Sequence, residues 1–172
     1  MCCAASVLPR VPGWEARLAA AVESARLRPY QLGEHDCLRF ACAVEFALTG
    51  RDRWHCWAGQ YRTARRAKYL IAKYGNDVAV DGAGVGDSAA PVAQGNDHAA
   101  PGELFTRAAS RWFGGGPQPM ALARRGDVCE YRTPDGEQHL GVVIGAQVVV
   151  LMHAGLAFVP RTAATHAWRV GE

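Results

Sequence analysis

An α+β fold, with helices first and an antiparallel sheet second, is what this sequence predicts. Two patterns carry that prediction. Apolar residues recur at helical spacing as far as Trp112, whereas from Asp127 onward they fall in short valine-rich runs separated by turn residues. Size is the third observation. The chain has 172 residues, 49% of them hydrophobic and 20% charged, which is one domain's worth over 1–172. Such a domain buries roughly 70% of its unfolded surface and needs no disulfide or metal to fold.

The elements follow in order. Trp14 to Arg28 has its apolar residues at Trp14, Leu18, Ala21, Val22 and Ala25, after a Pro-Gly start. Arg28 to Gly33 reads as a loop. The helical period returns from Asp36 to Leu48 through Cys37, Phe40, Ala41, Val44 and Ala47, and Gly50 stops it. Asp36 is a good N-cap, which sets Cys37 in the first turn. A third helix spans Thr63 to Tyr74, with Thr63 as cap and Gly75 as stop. Residues 76–102 are rich in Ala, Gly, Asp and Pro without sustained period, and read as a loop insertion. Pro101-Gly102 opens an amphipathic helix through Leu104, Phe105, Ala108 and Trp112, ended by Gly114 to Pro117. Strands are expected at Asp127–Arg132, His139–Ile144, Gln147–Met152, Leu156–Val159 and Ala167–Val170, forming an antiparallel meander.

Several function classes fall away. The net charge of +3 is mild and no run of five or six like charges appears, so nucleic acid is not an expected partner. Arg62, Arg65, Arg66, Lys68 and Lys73 sit at helical spacings and read as a solvated face. No stretch of 18 apolar residues is present to span a membrane. The first residues, MCCAASVLPR, lack a basic start and are not read as a signal peptide. An intracellular origin is therefore expected, where the six cysteines stay reduced and serve as core, metal ligand or nucleophile.

Cysteine in the first turn of a helix meets unpaired N–H groups and the positive end of the helix dipole, which lower a thiol pKa. The same N–H groups can hold an oxyanion. Such a nucleophile needs a base, normally His, oriented by a third polar group. His139 opens an otherwise apolar strand and is the candidate. If the following hairpin is centred on Ala146, paired positions sum to 292 and His139 faces His153. Cys37, His139 and His153 then form a nucleophile–base–orienter set. The other readings remain open: Cys37 as a small core residue, His139 bonded to a backbone carbonyl, His153 capping a strand end. A zinc reading of His35, Cys37, Cys42, His55, Cys56 and Cys129 lacks any C-x2-C pair. Trp54, Trp57, Tyr61, Trp112 and Phe113 are expected in the core, or on a surface that meets a partner or glycan.

The segment Tyr30-Gln-Leu-Gly33-Glu-His-Asp36-Cys37, then Arg125-Gly126-Asp127-Val128 and His139-Leu-Gly141-Val-Val-Ile-Gly145, resembles the NlpC/P60 cysteine peptidases. Thr49-Gly50-Arg51-Asp52 and Ala167-Trp168-Arg169 are similar to a phage-associated subgroup. The likeness covers most of 14–75 and 120–170. It implies a papain-like fold and hydrolysis of peptide or amide bonds in peptidoglycan stem peptides without a cofactor. It also implies incorporation in a phage virion tail, beside tail-tip or hub proteins. Tyr30 and Asp36 then flank the substrate and oxyanion, Asp36 also serving as the helix cap. Leu38-Arg39 stands where the family carries Ser-Gly, and Leu32-Gly33 replaces a longer Trp-Gly-Gly loop. Those departures favour a second expectation, a tail-assembly or hub-docking protein that has lost hydrolysis. Acyl transfer by the same Cys–His pair is the third.

Overall fold

A computed structural model describes residues 8–76 and 101–172. Four helices and a six-stranded antiparallel sheet make up an α+β fold. The helices are α1 (Trp14–Arg26), α2 (Cys37–Thr49), α3 (Ala64–Gly75) and α4 (Pro101–Phe113). Their starts are chemically legible. Asp36 Oδ1 accepts from the Arg39 N–H, and Thr63 Oγ1 from that of Arg66. Gly50, at φ 76°, ends α2 in the left-handed conformation with its N–H on the Phe46 carbonyl. Of the expected insertion, Asn76 is the C-cap of α3, and Pro101 and Gly102 belong to α4. The rest of it lies outside the described residues, as do Cys2 and Cys3.

The strands are β1 (Gln118–Pro119), β2 (Val128–Arg132), β3 (Gln138–Val143), β4 (Gln147–Met152), β5 (Gly155–Pro160) and β6 (Ala164–Trp168), in spatial order β1-β6-β2-β3-β4-β5. The expected meander holds from β2 to β5. It fails at β6, which crosses back to lie between β1 and β2 and begins three residues before the expected strand. Two-residue β1 carries no periodic signal, and its Pro119 reads as a breaker.

The β3–β4 register also corrects the expectation. Gly141 pairs with Val150, Val142 with Val149 and Val143 with Val148. Gly145-Ala146 form a two-residue loop closed by the Ile144 N–H on the Gln147 carbonyl, so the hairpin centre falls between them rather than on Ala146. That one-residue difference removes the His139–His153 cross-strand pair. Met152 pairs with Gly155, and His153 lies in the β4–β5 turn.

Alternation gives the sheet two apolar faces. Val128, Leu140, Val142, Val149, Leu151 and Trp168 pack with Phe40, Val44 and Leu48 of α2 and Leu18 of α1. Cys129, Val143, Val148, Val150 and Ala167 form a smaller cluster with Ala123 and Met120. Cys42 and Cys129 are core residues, as expected for buried thiols.

The Arg-Gly-Asp stretch is a structural knot. Asp127 is fully buried and accepts from the N–H groups of Arg124 (2.8 Å) and Val170 (3.1 Å) and from the Arg10 guanidinium (3.2 Å). It thus ties the start of β2 to both ends of the described chain. Gly126, at φ 92°, lies so close to α2 that a Cβ would come within 2.5 Å of Leu48 Cδ2. Trp168 is likewise buried, its indole donating to Ser110 Oγ of α4.

Candidate active site

The loop before α2 is built to present Cys37. Gly33 has φ 77° and touches the Tyr61 backbone so closely that a Cβ would sit 2.0 Å from its carbonyl oxygen. His35 is buried, and its Nε2 lies 3.1 Å from the Ala25 carbonyl at the end of α1. Burial, with Arg28 and Arg39 nearby, pushes its pKa down, so the imidazole is neutral and its Nε2–H donates to that carbonyl. Asp36 accepts three hydrogen bonds, at Oδ2 from Gly33 N–H and Tyr61 Oη, both 2.7 Å, and at Oδ1 from Arg39 N–H, 2.9 Å. Each residue of Gly33-Glu34-His35-Asp36-Cys37, Glu34 aside, thus has a mechanical role in placing the cysteine.

The helix start does not activate the thiol. Burial, and then the negative charge of Asp36, push the Cys37 pKa up to about 12, against weaker pulls from the Leu140, Leu38 and Cys37 backbones. The helix terminus lowers a thiol pKa, but here it is the smaller effect beside desolvation. The Leu140 contact arises from the sheet. β3 and β4 pair only over Gly141–Val143 against Val148–Val150, and Leu140 lies just past the last pair, where α2 packs on β3.

Cys37 opens onto a cavity of about 700 Å³. Leu32, Ile71, Leu104, Phe105 and Trp112 line it with apolar side chains, and Tyr30, Asp36, Lys68, Glu137, His139 and His153 supply its polar groups. All the expected site residues therefore share one cavity, but with altered partners. By alternation His139 leaves β3 on the face opposite Leu140. Among the described residues it makes no hydrogen bond to Cys37. Its Nε2 lies 3.6 Å from Glu137 Oε2. Burial pulls its pKa below the ordinary value, against the raising effect of Glu137, so the imidazole is neutral and able to accept a proton.

His153 is exposed, and its ring lies on that of Tyr30, with centroids 4.1 Å apart and planes tilted by 42°. It packs on Tyr30, while Glu137 is the carboxylate beside His139. Burial and the Cys37 and Asp36 charges push the Tyr30 pKa up, so its hydroxyl remains a donor. Asp36, expected both as helix cap and beside an oxyanion, is placed as the cap of α2. An anionic acceptor already holding three donors has no hydrogen to offer a developing negative charge.

Two contacts at this cavity are not legible in the same way. Tyr61, buried with its hydroxyl on Asp36, carries no local signal, because the contact spans 25 positions. Glu137, two residues before His139 and just outside β3, is brought to it by the turn at 133–137. Among the described residues, no three His, Cys, Asp or Glu side chains form a group that could hold a metal, and no helix is long and apolar enough to cross a membrane.

No curated protein and no solved structure matches the chain. A family does: the one described as a domain of unknown function (DUF6950) matches residues 9–104 and 99–170. Those two segments span nearly all of the sequence, and the chain belongs to the DUF6950 family.

Proposed function

We propose that this chain is a cysteine hydrolase that cleaves a peptide or amide bond, with Cys37 as nucleophile and His139 as base. The observation that carries the reading is the shared cavity, in which Cys37 at a helix N-terminus and a neutral, half-buried His139 line the same space. The thiol, high in pKa, and the imidazole, low in pKa, rest as a neutral pair. Proton transfer therefore accompanies attack rather than preceding it. His139 takes the Sγ proton as sulfur bonds to the carbonyl carbon, and the backbone N–H groups of Cys37 and Leu38, with the Tyr30 hydroxyl, face the oxyanion. The C–N bond breaks as His139 returns the proton to the leaving amine. Water then attacks the thioester, giving its proton to His139, and the acid departs as Sγ is reprotonated.

The NlpC/P60 resemblance supplies the substrate class, stem peptides of bacterial peptidoglycan, and the setting, a phage tail that carries the enzyme to the wall. A Cys-bearing helix packed on an antiparallel sheet that carries the His agrees with the papain-like architecture that resemblance implies. One observation favours a second reading, a tail-assembly protein without hydrolysis: Cys37 and His139 share no hydrogen bond, and the thiol is held protonated. Incubation of peptidoglycan with the protein and with Cys37→Ala, followed by mass spectrometry of soluble fragments, separates the two. Fragments released by the native protein alone are expected. Equal blanks from both, with each folded, overturn hydrolysis in favour of the assembly role.

A further inference from the structure

A second pocket, of about 320 Å³, shares the Gly33–Asp36 loop with the cysteine cavity but has the opposite chemistry. Its wall carries Arg28, Arg39 and Arg62, the ring of Trp54, and the Gly33-Glu34 turn. Glu34 is the carboxylate in that wall, 3.8 Å from the Arg62 guanidinium. Among the described residues no carboxylate pairs with Arg28 or Arg39. The Arg39 guanidinium instead rests over the Trp54 ring, 5.1 Å from its centroid. Stacking of this kind holds the planar group in one orientation and leaves its N–H edge free. Arg28 and Arg39 both lie close enough to the buried His35 to add to the lowering of its pKa that burial causes, against the opposing charge of Asp36.

We propose that this pocket binds a phosphoryl anion. Three guanidiniums in one small concavity suit a group with several charged oxygens, because each guanidinium can offer two parallel N–H donors. A volume near the lower end of small-ligand sites accommodates a phosphate with a short attached group. The proposal is independent of the hydrolytic reading, since no residue of the Cys37–His139 pair lines this pocket. The phosphoryl group can belong to a soluble phosphate ester or to a lipid headgroup, and the two sources are tested in parallel.

Calorimetric titration of the full chain with glycerol 3-phosphate at low salt forms one arm. Sedimentation with vesicles of phosphatidylglycerol, against vesicles of phosphatidylcholine, forms the other. Binding in at least one arm is expected, weakened at least tenfold by Arg39→Gln and several-fold by Arg28→Gln, and weakened by added salt. Arg28 is exposed, so Arg28→Gln keeps the comparison valid should Arg39→Gln loosen the start of α2. Arg65→Gln, on α3 and outside the pocket, should leave binding unchanged. Absence of binding in both arms overturns the proposal. So does an equal loss in Arg65→Gln and Arg39→Gln, which would show diffuse attraction rather than a site.

Discussion

Replacing Asp36 should weaken the fold and, at the same time, ease ionisation of the neighbouring thiol. In Asp36→Asn, Oδ1 can still cap α2 through Arg39, and the Tyr61 hydroxyl can rotate to accept. The amide nitrogen that replaces Oδ2 then faces the Gly33 N–H, donor against donor. One buried donor is left unmet, at a cost of about 2 kcal/mol. Asp36→Ala also loses the cap and the acceptor of Tyr61, for about 4 kcal/mol in all. At about 3 °C per kcal/mol for a domain of this size, Tm falls by roughly 6 °C and 12 °C. Both variants also remove the negative charge that, after burial, does most to hold the Cys37 thiol up. Each unit by which that pKa falls raises the thiolate fraction about tenfold at pH 8. Alkylation by iodoacetamide, followed at the Cys37 peptide by mass spectrometry, should therefore accelerate about tenfold. Tyr61→Phe is the control, because it removes one hydrogen bond and keeps the charge: stability should fall without faster alkylation. An Asp36→Asn protein as stable as the native one, or one alkylated no faster than Tyr61→Phe, would refute the reasoning.

Gly33 and Gly50 share nearly the same positive φ, 77° and 76°, but only Gly33 has backbone where a Cβ would go. Gly50→Ala should cost about 1 kcal/mol for the left-handed conformation, and Gly33→Ala about 4 kcal/mol or more. Equal costs in urea unfolding would remove the close approach to Tyr61 from the argument. Stability should also decline on acidification. His35 and His139 both have pKa values below 6.5 in the fold, burial being the largest cause, so the unfolded chain takes up protons first. Their contribution is complete above about pH 6.5 and is lost as pH falls through the folded values. Urea midpoints should be close at pH 8.0 and 6.5 and clearly lower at pH 5.5, the fall being smaller in His35→Gln. A midpoint that rises with acid contradicts the burial of these imidazoles.

The four helices and most of the sheet were legible because their signals are local. Asp36 and Thr63 stand where orphan N–H groups need acceptors, Gly50 stands where the chain must turn left-handed, and apolar periods mark the faces. The elements that escaped are those decided at a distance. β6 follows β5 in sequence yet pairs with β2, a choice made by core packing around Trp168 and by the Asp127 knot. The placement of His153 hung on a single residue of register, which the Gly145-Ala146 loop resolved.

By itself, the sequence determined the α+β class, the capped helix that begins at Cys37, and the set of residues that come to one cavity. The tertiary structure alone decided what those residues do to one another. It set a half-buried Cys37 beside Asp36, so that lost hydration outweighs the helix terminus and the thiol stays protonated. It gave His139 to Glu137 and His153 to Tyr30, and drew Tyr61 onto Asp36 from 25 positions away. A residue's type and helix position follow from neighbours in the chain. Its charge state depends on how much water remains around it and which charges approach, and both are properties of the packed molecule.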